Sequence, residues 1–119
     1  MLRQIEDDLY LLFSTIISMN RIDINQYLNI ARRKARKYGY DGTIELSDRI
    51  DKKLKFTDRL TGKVIHFGAK DYYDKIIYKL LYGKAVANDK AELYRLRAWS
   101  VFNKSKALSP SSLSWYILW

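Results

Sequence analysis

Apolar positions recur along this chain with two different periods. Leu2, Ile5, Leu9, Leu12, Phe13 and Ile16 follow helical spacing, and Leu11 and Ile17 widen the stripe. The pattern predicts an amphipathic helix over 2–18, with Glu6, Asp7 and Asp8 where the helix dipole favours anions. So wide a stripe needs cover. The rest of the domain is the first expectation and a second copy of residues 1–19 the alternative. Ile24, Leu28, Ala31, Ala35 and Tyr38 repeat the same period. Asp23 and Gln26 form a capping-box start for this second helix, and Gly39 supplies its stop.

Between Gly39 and Asp48 the glycines and polar residues predict a loop. The period then changes to two. Leu54 and Phe56 alternate with Lys53 and Lys55, and Val64, Ile65, His66 and Phe67 follow a turn at 58–62. These runs predict a β-hairpin, 52–57 paired with 63–67. Helical spacing returns from Tyr72 and Tyr73 through Ile76, Ile77, Leu80 and Leu81 to Gly83. Asp89 and Glu92 suggest a further helix start, running to Phe102. Ser109 before Pro110 is a helix entrance.

The expected fold is therefore α+β. One small domain is mostly helical around a β-hairpin, with an N-terminal helical extension (1–22) before a basic domain (23–119). The ending, SPSSLSWYILW, is too short to span a membrane. Its apolar residues are expected to fold back and close the core against the hairpin, leaving the terminal carboxylate to meet a nearby cation.

Charge adds the next constraint. The chain carries 22 Lys and Arg against 13 Asp and Glu, a net +9. The excess is uneven: residues 1–31 hold two basic and four acidic groups, and 32–63 hold eleven and five. A basic body points to a polyanionic partner. The absence of cysteine removes disulfides and thiolate metal sites. No stretch is long and apolar enough for a membrane span, and the acidic N-terminus is unlike a secretory leader. An intracellular or virion location is expected, not secretion.

Catalytic patterns are weak. His66 is the sole histidine, and it lies among apolar strand residues, which favours a structural role. Asp71 and Asp74 are spaced to share a divalent cation, yet acids at a helix start already have a structural reason. The glycines lack the order of a phosphate loop. No catalytic residue, metal site or cofactor is expected. The basic and aromatic interleaving is stronger. Arg32, Arg33, Lys34, Arg36 and Lys37 place five cations within six residues. With Lys53 and Lys55, and with Arg59 and Lys63 across the hairpin, they are expected to form one phosphate-binding face. Tyr38 and Tyr40 would stack on bases or pack inside. The strand lysines have a second reading as guards of a sheet edge, and RRKARK a second reading as an import signal.

The order LKF, GKVIHFGAKDYYDKIIY, YRLRA and the terminal SPSSLSWYILW resembles small basic domains of unknown function in large double-stranded DNA viruses and their smaller relatives. The matching positions are Gly62, Lys63, Phe67, Gly68, Tyr73, Asp74, Tyr94, Arg97, Leu118 and Trp119, within about residues 31–119. Many such domains carry Arg-His in the Tyr-x-x-Arg helix; Ala98 follows Arg97 here, so any role of that histidine does not carry over. The resemblance implies a viral setting and no mechanism. The leading expectation is a non-enzymatic viral protein that binds nucleic acid, DNA first, through backbone phosphates, as a virion-associated component. The alternative is a minor structural or assembly protein that docks on a capsid or scaffold partner through its N-terminal helix or C-terminal tail.

Overall fold

The computed structural model describes residues 22–119. The predicted helix over 2–18, and any self-association through residues 1–19, lie outside the described residues. Helix α1 spans Ile24–Lys37. Strands β1 (Gly42–Leu46), β2 (Lys52–Asp58) and β3 (Val64–Ala69) follow. Helices α2 (Lys75–Tyr82), α3 (Lys84–Phe102) and α4 (Pro110–Leu113) complete the chain, and α4 runs on into a π-helical turn, Ser114–Leu118. The expected α+β class holds, with helices packed on an antiparallel sheet in the order β1-β2-β3.

Helix α1 starts and stops as its sequence dictates. The Asp23 carboxylate accepts the Asn25 and Gln26 backbone N–H groups. At the other end Gly39 adopts φ +83°; its N–H donates to Arg36 O, and that of Tyr40 donates to Ala35 O. This is a Schellman closure, and a left-handed residue at its pivot favours glycine. Ile24, Tyr27, Leu28, Ala31 and Ala35 form the buried stripe.

The hairpin forms as expected, with Phe56 opposite Ile65 and Leu54 opposite Phe67. Strand β1 corrects the loop expected between Gly39 and Asp48. Thr43, Ile44, Glu45 and Leu46 alternate, and Ile44 pairs with Phe56 while Leu46 pairs with Leu54. Pairing with β2 supplies the backbone partners that make a short, Gly-flanked segment a strand. Two helix starts also differ. Helix α2 begins at Lys75, so Tyr72 and Tyr73 precede it and Asp74 is its cap. Helix α3 begins at Lys84, directly after Gly83, and Asp89 and Glu92 are exposed positions within it. Only the cap geometry, not the D-x-x-E spacing, marks a helix start.

The tail closes the core. Ser109 caps α4 by accepting the Ser112 N–H, with Pro110 in the first turn. Leu113, Ile117 and Leu118 are buried in the same cluster as Tyr27, Phe56 and Phe67. Gly68 makes room for them. Its φ is +81°, and a Cβ there would lie 2.7 Å from Leu118 Cδ1. The aromatic residues of the tail dock in turn: Trp115 stacks on Phe102 (4.1 Å between centroids) and Trp119 on Tyr94 (4.4 Å), while Tyr116 meets Tyr38 at a tilt (5.1 Å).

One buried polar cluster ties these elements together. Asp74 accepts the Ile77 N–H through Oδ1 (3.0 Å), capping α2. Its Oδ2 accepts the Tyr27 hydroxyl (2.5 Å) and pairs with Lys53 Nζ (3.1 Å). Lys53 Nζ also donates to the Tyr72 carbonyl. Lys53 and Asp74 retain only 2% and 1% side-chain exposure. The cluster joins α1, β2 and α2 at one carboxylate. Burial, then the Asp74 charge, pushes the Tyr27 hydroxyl well above its ordinary pKa, so it stays a proton donor.

Removing one partner of such a pair leaves the other charge buried and uncompensated. Asp74→Ala is expected to destabilise the domain by about 3–5 kcal/mol in urea unfolding. Adding Lys53→Met should recover a large part of that loss; no recovery would show that Lys53 is not the stranded charge. Deleting residues 115–119 removes three buried apolar side chains, worth about 5–9 kcal/mol at roughly 1.5–3 each. That approaches the whole stability of a small domain. Circular dichroism should show no cooperative melt for the truncated chain.

Candidate nucleic-acid interface

The seven predicted contact residues do not share one face. Arg33, Arg36 and Lys37 are exposed on the later turns of α1. Arg32 is half-buried at the seam between helix and sheet, where its Nε donates to Ile44 O (3.1 Å) and Nη1 reaches Asn29 Oδ1 (3.5 Å). Lys34 is half-buried on the side that meets α2 and α3. Lys53 is the clear correction. Strand alternation placed its ammonium outside beside Lys55, but the segment before α2 folds over the end of β2 and Asp74 takes the charge. A lysine so buried and paired is out of reach of a phosphate. Lys55 keeps partial exposure, but the register sets it between Glu45 of β1 and His66 of β3. Alternation turns it away from Leu54 and Phe56, which face the core, so it lies on the opposite side of the sheet from α1. Arg59 pairs with Asp41 (2.6 Å), and this bond holds the Asp41 carboxyl below its usual range.

What remains is a basic surface centred on α1 and continued by other helices. Among the described residues, no Asp or Glu lies within ion-pair distance of Arg33, Lys34, Arg36 or Lys37. Lys34 instead feels the like charges of Lys37, of Lys75 on α2 and of Arg95 on α3, and Lys75 in turn feels Lys37. Burial, then Lys75, Arg95 and Lys37, outweigh the attraction of Asp74 and push Lys34 down to about 8. Lys75 is lowered as well, by burial first and then by Arg95, Lys79, Lys84 and Lys37.

Two grooves flank helix α3. Its Tyr94, Arg97 and Val101 line one of about 850 Å³, together with Tyr73, Tyr78 and Trp119. Its Ala91, Arg95 and Trp99 line the other, of about 660 Å³, together with Lys75 and Trp115. Two lined flanks explain why α3 has no single apolar stripe. Gly68, Tyr73, Tyr94, Arg97, Leu118 and Trp119, scattered along the sequence, converge on the larger groove. Arg97 lies over the Tyr94 ring (5.7 Å), and Arg95 lies over Trp115 (5.0 Å). Sequence reasoning missed Lys75 and Arg95. Neither sits in a charge run, and only the packing of three helices brings them to Lys34.

The catalytic candidates do not assemble into a relay or a shared cation site among the described residues. Ser47 Oγ lies 2.7 Å from His66 Nδ1, and Asp48 Oδ1 lies 3.8 Å from the same nitrogen. A nucleophile relay needs its serine and its carboxylate on opposite ring nitrogens. Ser47 is also buried, and its hydroxyl accepts the Arg49 N–H. Asp71 is exposed while Asp74 is consumed in the core, so the two do not face one cation. No group of three His, Asp or Glu side chains suited to a metal occurs among the described residues. None of the described helices is long and apolar enough to cross a membrane. No protein-family model, curated protein or solved structure matches the chain.

The Lys34 environment has a stability consequence. Its folded pKa of about 8 lies below the ordinary 10.5, so between these values the unfolded chain binds more protons. Stability contributed through this group therefore rises as pH increases from about 8 towards 10.5. Lys34→Met should raise the melting temperature at pH 7 by a few degrees. Its advantage over the unsubstituted protein should shrink by pH 9.5, as read from parallel melts.

Proposed function

We propose that this domain binds nucleic acid without sequence preference, through backbone phosphates. The observation that carries the reading is the unneutralised basic surface of α1. Arg33, Arg36 and Lys37 are exposed on consecutive turns, with no acidic partner among the described residues. Two cations in a last turn would satisfy the helix dipole. The excess is suited to displacing counterions from a polyanion. Arg32 and Lys34 extend the surface on either side; Lys53 and Lys55 do not belong to it. The reading involves no catalysed step. It fits the viral setting implied by the resemblance, with DNA as the first ligand to try and the virion or host cell interior as its place.

A second reading is supported by α3. Leu93, Leu96, Trp99 and Val101 are all more than half exposed, Leu96 reaching 73%. Apolar exposure of this kind, Leu96 and Trp99 on one flank and Leu93 and Val101 on the other, suits a protein partner, such as a capsid or scaffold subunit. The C-terminal tail is not available for that docking, because its apolar residues are core.

Fluorescence anisotropy with two unrelated DNA duplexes across a salt series separates the readings. The proposal expects equal affinities for both sequences and a linear fall of log K with log salt. Replacing Arg33, Arg36 and Lys37 together by Ala should reduce the slope by about 2.7, since each phosphate contact contributes about 0.9. Unchanged binding in the triple variant, or affinity independent of salt, would defeat the proposal.

A further inference from the structure

We infer that the groove beside the junction of α1, α2 and α3 is a seat for the phosphate of a nucleotide: Lys75 and Arg95 hold the anion, Lys34 and Lys37 of α1 add positive field beside them, and the exposed Trp99 indole carries the base. This goes beyond backbone binding along α1, because Lys75 and Arg95 belong to other helices and would recognise a phosphate even if α1 bound no duplex.

Lys75 and Arg95 line one groove, and Lys34 and Lys37 of α1 are near enough for like charges to repel. Such a cluster is costly when empty. The Asp74 carboxylate is already shared between Lys53 and Tyr27. Glu92 lines the same groove but forms no ion pair with Lys75 or Arg95. A dianion between Lys75 and Arg95 would supply the missing charge. The Arg95 guanidinium is held over the Trp115 ring at 5.0 Å, and Trp115 is backed by Phe102. A guanidinium positioned in this way loses less freedom on gripping an oxyanion.

The groove beside these cations measures about 660 Å³, within the range of about 300–1,000 Å³ typical of small-ligand sites. Trp99 forms part of its wall and is 53% exposed. An indole half open to solvent next to unpaired cations offers a stacking surface within reach of the phosphate seat. Phosphate and purine or pyrimidine are therefore recognised by adjacent groups. The phosphate source is either a free nucleotide or the phosphorylated end of a strand.

The site has a proton signature. Lys34 faces Lys37 on its own helix, Lys75 on α2, Arg95 on α3 and the Asp74 carboxylate before α2. Its pKa of about 8 in the free protein should rise when a dianion binds. Binding above that pH must then take up a proton.

The test uses the full chain, intrinsic tryptophan fluorescence and adenosine 5′-monophosphate, inorganic phosphate and adenosine as probes, at constant ionic strength. The inference expects a saturable signal with the monophosphate, weaker binding of inorganic phosphate and none of adenosine. Lys75→Gln and Arg95→Gln should each weaken the monophosphate by about tenfold or more, while duplex binding through α1 persists. Calorimetry of the unsubstituted protein at pH 8.5, in buffers of different ionisation enthalpy, should show proton uptake that Lys34→Gln abolishes. A 5′-phosphorylated oligonucleotide that outcompetes its 5′-hydroxyl twin would assign the site to strand ends; equal competition would assign it to free nucleotides. A signal matched by chloride, binding indifferent to both Gln variants, or binding without proton uptake would overturn the seat. Inorganic phosphate binding as tightly as the monophosphate would overturn the nucleotide assignment.

Discussion

The Asp74 carboxylate is the contact on which the rest of this structure depends. It caps α2, accepts the Tyr27 hydroxyl from α1 and neutralises Lys53 of β2, all away from water. Hydrophobic burial can hold two helices and a sheet together, but it is indifferent to small rotations between them. A buried carboxylate with three directional partners is not. Leaving any partner unmet costs more than the bond is worth, so the cluster fixes how α1 and α2 sit on β2.

That orientation has an electrostatic consequence. With α1 anchored through Tyr27, its buried stripe meets the sheet and the cations of its later turns face outward or towards α2 and α3. The Asp74 carboxylate near the junction is already consumed inside. The domain therefore keeps positive charge concentrated where folding alone gains nothing from it. Lys34 is held below its ordinary pKa in a partly desolvated, like-charged setting. Such local strain is commonly retained where a ligand relieves it. The C-terminal residues play a different part. Leu113, Ile117 and Leu118 complete the core, while Trp115 and Trp119 furnish a wall to each of the two grooves that flank α3.

Much of the fold was legible because local signals and packing agree. Asp23, Gly39, Gly83, Ser109 and Pro110 punctuate the chain where α1, α2 and α4 begin or end. The alternation of Leu54 and Phe56 found β2. Strand β1 was hidden by its glycine-rich approach, although Ile44 and Leu46 carried the two-residue period that marks it. The site was less legible. Charge runs identify candidates for exposure, and Arg33, Arg36 and Lys37 were found that way. Lys53 has the same local signature as Lys55 but the opposite fate, because a segment some twenty residues later delivers a carboxylate to it. Lys75 and Arg95 have no local signature at all. Their place near Lys34 arises from the packing of α2 against α1 and α3.

The central claim is that anchoring α1 through Asp74 leaves a phosphate-binding surface on α1 and at its junction with α2 and α3. Side-chain nitrogen resonances of Arg and Lys, followed by NMR as a short DNA duplex is added at low salt, test it most directly. The account predicts shifts at Arg33, Arg36, Lys37, Lys34 and Lys75, with Lys53 silent in the core. Shifts confined to Lys52, Lys55 and Lys63 on the sheet, or none at all, would contradict it.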